Sequence, residues 1–413
     1  MNNAPPPLDD AVIASIVTQT VDELTPRHLF HFNAPRQTVV GEGAILKLGD
    51  VLRGLAVRHV LFIADQVVFQ QGLLRGAERS LARAGIGCSI FAGIDQEPDT
   101  AVIEQGTVLL RHAQADFVIG FGGGSALDAA KAIAMLGSCH VSLEELAAPG
   151  FGGRRSIGLG AVPTTAGSGS EVTDICVILE ADRQKKIIAK QPDLMPDLAI
   201  IDPGLTINLP APVTAATGID ALTHAIEGFT ARTSNPLSKA MAIAAIQKLA
   251  HALPIVVGNG EDRKARLDMA VAAYEAGLAL SNSGLGLVHA ISHQVGVRYD
   301  IAHGVANGIL LPFVMEFNGL VCRSEYAAIA RVFGVARDTM TEREQCDAGV
   351  RAVRQLLADI GLPGSFAHAG AHPDHFNELA SAALEDICIA DNPRRVTAGD
   401  ITRLLQQASK TAS

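Results

Sequence analysis

Short apolar runs and helical repeats alternate through the first half of the chain. His59–Asp65 (HVLFIAD) is an apolar run of strand length that ends at an acid, and a helical stretch is predicted from about Phe69 to Ala84. Cys88–Ala92 is a second predicted strand, and Thr100–Ala113 is a second predicted helix. Strands that alternate with helices are typical of a parallel sheet covered by helices on both faces.

The third predicted strand, Asp116–Phe121, runs into a glycine-rich turn, and a helix through Ala126–Met135 follows it. Gly122, Gly123 and Gly124 let the backbone approach a ligand closely because no Cβ intervenes. The helix that starts near Ser125 presents unpaired N–H groups and a positive dipole end, which suit a pyrophosphate. The segment matches neither GxGxxG nor the P-loop pattern, so a simple tight turn stays an alternative.

The pattern of apolar residues changes after about residue 210, from strand-like runs to helical periodicity. Four further strands are predicted before that point, at Ile157–Val162, Thr173–Leu179, Lys186–Ala189 and Leu198–Ile201. Beyond it, Ala-rich segments with a period of 3.6 residues dominate, as in Ser238–Leu253 and Lys264–Leu280. The pattern predicts an α/β domain over residues 31–210 and an all-helical domain over residues 211–413. Residues 1–30 form an N-terminal extension, in which apolar spacing predicts an amphipathic helix over residues 8–25.

Composition narrows the class of protein. The 413 residues fit two domains, and 33 Lys and Arg against 43 Asp and Glu give a net charge of −10, which does not favour nucleic-acid binding. Apolar residues make up 48% of the chain, which excludes a disordered protein. The six cysteines are scattered without a CxxC pair, and neither a membrane span nor a secretory signal is indicated. We therefore expect a cytoplasmic protein that does not bind membranes.

Histidines and one acid recur at helical spacing in the second half. Asp220 and His224 are four residues apart, as are His289 and His293, and His303 follows soon after. Side chains at this spacing project from one helix face, and a carboxylate with several imidazoles is a typical ligand set for Fe(II) or Zn(II). Their apolar neighbours predict burial, where a metal supplies the partner that such groups need. For any single histidine, a hydrogen-bonded core position remains the alternative.

Other motifs are weaker. HExxH is absent and His224–Glu227 is only HxxE, so the zinc-protease helix is not indicated. The cluster HAGAHPDH at residues 368–375 is broken by glycine and proline and reads as a solvated loop. The segment PTTAGSGSE at residues 163–171 carries hydroxyls that could bond ribose and amide groups, or it is an ordinary turn. Its serines do not meet the GxSxG frame of a serine hydrolase.

Together these segments resemble the iron-dependent, or group III, alcohol dehydrogenases. The resemblance extends from about Phe32 to Leu405. Its markers are GGGSALDAAKA, PTTAGSGSEVT, GIDALTHAIEGF, NPLSKAMAI, GLVHAISHQVG, HGVANGILLP and DNPRRVTAGDI. It implies a Rossmann-like, parallel-sheet NAD-binding domain followed by an all-α metal-binding catalytic domain of the dehydroquinate synthase-like type.

The resemblance also implies roles for individual residues. The metal ligands would be Asp220, His224, His289 and His303. The cofactor would contact Asp65, Gly123, Gly124, Ser125, Thr164, Ser168 and Lys186. A carboxylate at Asp65 would bond the adenosine ribose and repel a 2′-phosphate, which favours NAD over NADP. His293 matches a position near the cleft that is not a ligand, and we hypothesise that it relays a proton.

The implied reaction is the reversible oxidation of a small-molecule alcohol to an aldehyde or ketone, with hydride passing to NAD and Fe(II), or Zn(II), acting as a Lewis acid. A homodimer or larger homo-oligomer is expected. Alternatives are a related enzyme such as glycerol dehydrogenase, dehydroquinate synthase or maleylacetate reductase, or a non-catalytic nucleotide-binding protein. Maleylacetate reductases usually lack the full ligand set. The family often has Asn-Pro where this chain has Glu97-Pro98, which leaves one adenine-side contact open.

Overall fold

The computed structural model describes residues 29–94, 98–180 and 185–410, and the chain from Asn33 onward forms one compact unit. The predicted helix over residues 8–25 and the departure at Glu97 lie outside the described residues. Within the described part, a sheet with its covering helices comes first and a run of helices follows. The predicted fold class is therefore confirmed.

Six parallel strands form the main sheet, in the order β1-β8-β5-β4-β2-β3. The strands of the structure are β1 (Gln37–Val40), β2 (His59–Asp65), β3 (Gly87–Ile94), β4 (Phe117–Gly122), β5 (Gly158–Pro163), β6 (Ile175–Glu180), β7 (Lys185–Lys190) and β8 (Leu198–Ile201). The chain passes from β2 to β3 on one side and then back to β4 on the other side of β2. Ligands of doubly wound sheets bind at such a switch point, outside the carboxyl ends of the strands.

Helices cover both faces of this sheet. They are α1 (Leu48–Gly54), α2 (Gln66–Gln70), α3 (Arg75–Ala84), α4 (Thr100–Ala113), α5 (Gly124–Cys139) and α6 (Leu143–Ala147). Alternate residues of β2 face opposite cores: Leu61 and Ile63 pack with α4 and α5, whereas Val60 and Phe62 pack with α1 and α3. Because both faces are covered, β2 is apolar almost throughout, as buried parallel strands are.

Three local features differ from the sequence prediction. β1 was not predicted, because it is a four-residue edge strand with two exposed positions and no long apolar run. β6 and β7 do not join the parallel sheet but pair with each other as an antiparallel hairpin. The helix predicted from Phe69 to Ala84 is divided into α2 and α3, because Gly72 adopts a left-handed conformation (φ 70°) between them.

The second half is helical throughout the described residues. Its helices are α7 (Ala211–Thr230), α8 (Pro236–Gly258), α9 (Arg263–Ser281), α10 (Leu287–Tyr299), α11 (His303–Asn318), α12 (Arg323–Val332), α13 (Glu342–Asp359), α14 (Phe376–Leu384) and α15 (Ala398–Ala408). They enclose one apolar core, to which α7, α8 and α9 contribute closely packed faces. α7, which carries Asp220 and His224, is buried along most of its length.

Among the described residues, one helix is long and apolar enough to cross a membrane by length and composition alone, namely α8. Its residues Ala242, Ile246, Leu249 and Leu253 are fully buried in the helical core. Core helices of soluble proteins meet the same criterion. Packing thus accounts for part of the apolar character of α8, since 39% of the apolar stretch that meets the criterion is buried.

The hydroxyl-rich segment after β5 packs directly on α9 through two glycines. Gly169 has a positive φ of 66°. A Cβ on Gly277 would lie 2.8 Å from Gly169 Cα and 2.6 Å from Val172 Cγ2. This glycine contact fixes the segment between β5 and β6 against the helical part of the molecule.

We predict that Gly277→Ala lowers the free energy of unfolding by about 1–3 kcal/mol, because the added methyl overpacks a backbone contact. Denaturant unfolding of the full chain measures the change. The control is Gly258→Ala at the end of α8, where a Cβ meets nothing within 4 Å. Equal stability of Gly277→Ala and wild type would show that the contact is loose.

Candidate active site

Three helices bring one carboxylate and three imidazoles together. Asp220 and His224 lie on α7, His289 on α10, and His303 is the first residue of α11. Asp220 Oδ1 is 3.6 Å from His224 Nε2, 3.9 Å from His289 Nε2 and 3.5 Å from His303 Nε2. The four ligand atoms all lie within 4.8 Å of one another. The structure thus groups the four residues that the sequence predicts as metal ligands.

Close packing of α11 on α7 positions His303. A Cβ on Gly304 would lie only 2.0 Å from the carbonyl oxygen of Ala216, so the two helix backbones touch at this point. Gly304 follows His303 directly, and Ala216 is one turn before Asp220. Only glycine permits this approach, which explains why Gly304 follows His303 at the start of α11.

The donor set fits a divalent cation. Asn307 is fully buried, and its Nδ2 lies 2.8 Å from Asp220 Oδ1, 3.3 Å from His289 Nε2 and 3.2 Å from His303 Nε2. Its Oδ1 has no hydrogen-bond partner among the described residues, and neither has His224 Nδ1. One amide cannot satisfy four converging acceptors, whereas a cation can. Carboxylate and imidazole are the ligands that Fe(II) and Zn(II) share.

Two acids outside this set, Glu227 and Asp386, bond to histidines, and neither has a role that its sequence pattern predicts. His289 Nδ1 donates to Glu227 Oε2 at 2.6 Å, and His293 Nδ1 donates to Asp386 Oδ2 at 2.9 Å. Burial opposes ionisation of Asp386, but the hydrogen bond and charge of His293 hold the pKa of this carboxyl below its usual range. Asp386 lies 93 residues from His293, so no local spacing signals the pair.

The predicted pyrophosphate turn lies at the switch point of the sheet. β4 ends at Gly122 and α5 begins at Gly124, while Asp65 ends the neighbouring strand β2. The N–H of Gly123 donates to Asp65 Oδ2 at 2.7 Å. A Cβ on Gly122 would lie 2.1 Å from the same oxygen. Gly122 is therefore needed to leave room for the carboxylate of Asp65.

The DxxK pair of α5 attaches this helix to the β6–β7 hairpin. Asp128 Oδ2 accepts from the N–H of Val177 at 2.9 Å. Lys131 Nζ donates to Thr173 Oγ1 at 2.9 Å and to the carbonyl oxygen of Ile175 at 2.7 Å. These bonds position the hairpin, which carries Lys186, beside the N-terminus of α5.

One cavity of about 670 Å³ joins the two sets of residues. Most of the predicted site residues line it: Gly123, Gly124, Ser125, Ser168, Lys186, Asp220, His224, His289, His293 and His303. Asp65 and Thr164 are not among its lining residues in the described part of the chain; Thr164 is buried, and its N–H donates to the carbonyl oxygen of Gly122 at 2.9 Å. The neighbouring Thr165 lines the cavity instead. Its apolar wall includes Leu280, Leu285 and Ile387.

Comparisons with known proteins agree with this arrangement. Residues 35–203 match the family described as iron-containing alcohol dehydrogenase, and residues 214–409 match the C-terminal part of the Fe-containing alcohol dehydrogenase family. The probable alcohol dehydrogenase EutG of Salmonella typhimurium is 39% identical over 398 residues, covering 96% of this chain and 99% of that protein.

Solved structures show the same fold. A 1,3-propanediol oxidoreductase superposes with a TM-score of 0.90 at 33% identity, covering 92% of this chain and 100% of that one. The sulfoacetaldehyde reductase of Bifidobacterium kashiwanohense, solved with NAD⁺, gives a TM-score of 0.84 at 26% identity, covering 93% and 100%.

The sheet with its switch-point turn, the helical histidine cluster and the shared cavity define a metal-dependent oxidoreductase. The chain belongs to the iron-containing alcohol dehydrogenase family. Its reaction is therefore the interconversion of an alcohol and an aldehyde or ketone.

Asp65 generates a prediction about stability. Burial raises its pKa to about 6, although the Gly123 N–H bond acts in the opposite direction. Since the unfolded value is about 3.9, the folded state binds the proton more tightly. The free energy of unfolding of wild type therefore falls as pH rises from about 4 to about 6, and this contribution is constant above that.

We predict that Asp65→Asn, without cofactor, is more stable than wild type by about 1–3 kcal/mol at about pH 8 and equal to it near pH 4. The asparagine oxygen can still accept from Gly123. Urea unfolding across pH measures the difference. Asp50→Asn, at an exposed ion pair with Arg53, is the control and should change stability little. An Asp65→Asn variant no more stable than wild type at about pH 8 would contradict the prediction.

Proposed function

We propose that the protein uses NAD(H) and a divalent metal, Fe(II) or Zn(II), to interconvert a small-molecule alcohol with its aldehyde or ketone. The observation that carries this proposal is that one cavity runs from the turn at Gly123–Ser125 to the proposed ligand set around Asp220. A dinucleotide bound at one end would place its nicotinamide towards the metal end. Holding donor and acceptor carbons together in a closed site supplies much of the rate of such transfers.

The cofactor end is built for a diphosphate. The N–H groups at the start of α5 and its dipole would hold the pyrophosphate. Asp65, at the end of β2, would bond the adenosine ribose and disfavour a 2′-phosphate. Ser168 and Lys186 would contact the ribose and nicotinamide side. Thr164 is buried away from the cavity, so its neighbour Thr165, which lines the cavity, would make the contact expected of Thr164.

The metal end would be held by Asp220, His224, His289 and His303. A divalent metal bound there supplies Lewis-acid stabilisation of negative charge on the substrate oxygen. Burial lowers the pKa of His289 well below its usual value, so this imidazole is neutral and its Nε2 is an acceptor. Leu280 and Leu285 line the same cavity and would limit the access of water to the reacting groups.

The chain offers support for the remaining proposals. All six cysteines are free thiols, which suits a reducing cytoplasm. We also propose that the substrate is a small molecule, that the protein binds neither nucleic acid nor membranes, and that it forms a homodimer or larger homo-oligomer. Sedimentation velocity of the purified chain tests the oligomeric state.

The test is NADH absorbance with a panel of alcohols and aldehydes, on metal-stripped protein and after adding Fe(II) or Zn(II). We expect activity only with metal, a preference for NAD over NADP, and loss of bound metal in Asp220→Asn. The panel, with glycerol included, separates the related dehydrogenases. Normal metal content in Asp220→Asn would refute its ligand role, and full activity of stripped protein would indicate a maleylacetate reductase-like enzyme. Bound NAD and metal without turnover would indicate the non-catalytic alternative.

His293 is proposed to move the alcohol proton from the site. Its Nδ1 donates to Asp386, so its Nε2 is left as the acceptor, and the side chain lines the cavity beside His303. Removing a group that transfers protons costs about 10²–10⁴-fold in rate. We predict that His293→Ala lowers kcat by about 10²-fold and leaves metal content unchanged. His372→Ala, in an exposed loop, is the control. Full activity of His293→Ala at every pH tested would end the relay hypothesis.

A further inference from the structure

Glu227, the acid of the HxxE segment of α7, makes a contact that its spacing from His224 does not predict. Glu227 lies one turn beyond His224 but is not one of the four proposed ligands, which are Asp220, His224, His289 and His303. It is 5% exposed, and its carboxylate faces α10. We propose that Glu227 is a positioning residue that fixes His289 as a metal ligand and strengthens its bond to the metal. The inference rests on the proposed metal site.

Both carboxylate oxygens of Glu227 have a defined partner on α10. Oε2 accepts from His289 Nδ1 at 2.6 Å, and Oε1 accepts from the N–H of Val288 at 2.7 Å. A Cβ on Gly286 would lie 2.9 Å from Oε1, so a bare backbone is needed where the carboxylate enters. These contacts hold the acid at the positive end of the α10 dipole, which favours its charge.

The contact decides which nitrogen of His289 can bind metal. Because a carboxylate only accepts, Nδ1 carries the proton and Nε2 presents its lone pair towards Asp220 Oδ1. A negative partner on Nδ1–H makes the imidazole a better electron donor and holds the plane of the ring. His224 differs, because its buried Nδ1 has no partner among the described residues. Of these two histidines, His289 is therefore the one that Glu227 can position.

The arrangement also links two helices. Asp220, His224 and Glu227 occupy positions i, i+4 and i+7 of α7, on one face. The same face thus supplies two ligands directly and holds the third, on α10, through Glu227. A plain packing role for Glu227 would influence stability, whereas positioning requires an effect on metal affinity and on the ligand field.

The experiment compares metal binding in wild type, Glu227→Gln and the control Thr223→Val. Thr223 is also buried on α7, but its hydroxyl bonds only the carbonyl oxygen of Ile219 in its own helix. Stripped protein is loaded with Zn(II) or Co(II) alone, and dissociation constants are measured by chelator competition. We expect Glu227→Gln to bind Zn(II) about 10–100-fold more weakly, with shifted Co(II) visible bands. Thr223→Val should match wild type in both measurements.

The outcomes separate this inference from the proposed function. If wild type binds neither metal, the proposed metal site fails. If wild type binds metal and Glu227→Gln binds it equally, with the same Co(II) spectrum, only the positioning role fails. If Glu227→Gln does not fold, nitrogen-15 spectra of wild-type imidazoles decide: a protonated Nδ1 on His289 supports the role, and a protonated Nε2 in the metal-free protein overturns it.

Discussion

Four electron-pair donors that converge on one buried point constrain the whole helical half of this molecule. Asp220 Oδ1 and three imidazole nitrogens lie within 4.8 Å of one another. Their lone pairs repel one another unless a cation or a proton donor lies between them. Asn307 supplies only one amide for this purpose. The arrangement therefore needs α7, α10 and α11 at fixed mutual positions, which explains the backbone contact of Gly304 with Ala216.

The sheet and the helices line opposite ends of one cavity, and several contacts fix them relative to each other. The switch point puts Asp65 and Gly123 at the carboxyl edge of the sheet, and the contact of Gly169 with Gly277 holds the following segment against α9. Asp128 and Lys131 then attach the hairpin that carries Lys186. Since each of these links includes a backbone atom, the distance between the two ends of the cavity is set largely by the fold.

Much of this could be predicted from the sequence. The apolar runs that end at Asp65 and at the GGGS turn predicted the sheet, because buried parallel strands are recognisable as nearly continuous apolar runs. The predicted ligand set, whose four members the structure brings together, followed from the spacing of Asp220 with His224 and from the family resemblance. Partners far apart in the chain could not be found this way: Asp386 meets His293 across 93 residues. The β6–β7 hairpin was also missed, because strand patterns do not reveal which partner a strand takes.

Glu227 shows why local motifs can mislead in both directions. Its spacing from His224 suggested a weak ligand pair, yet its carboxylate points to a histidine 62 residues later. Burial raises the pKa of Glu227 to about 7, although the N–H bond from Val288 at the start of α10 acts in the opposite direction. A leucine of similar volume would avoid this desolvation cost. Such an acid is therefore explained better by the proposed positioning of His289 than by packing. Burial likewise opposes ionisation of Asp65, and the proposed ribose contact would explain why a carboxylate stands there.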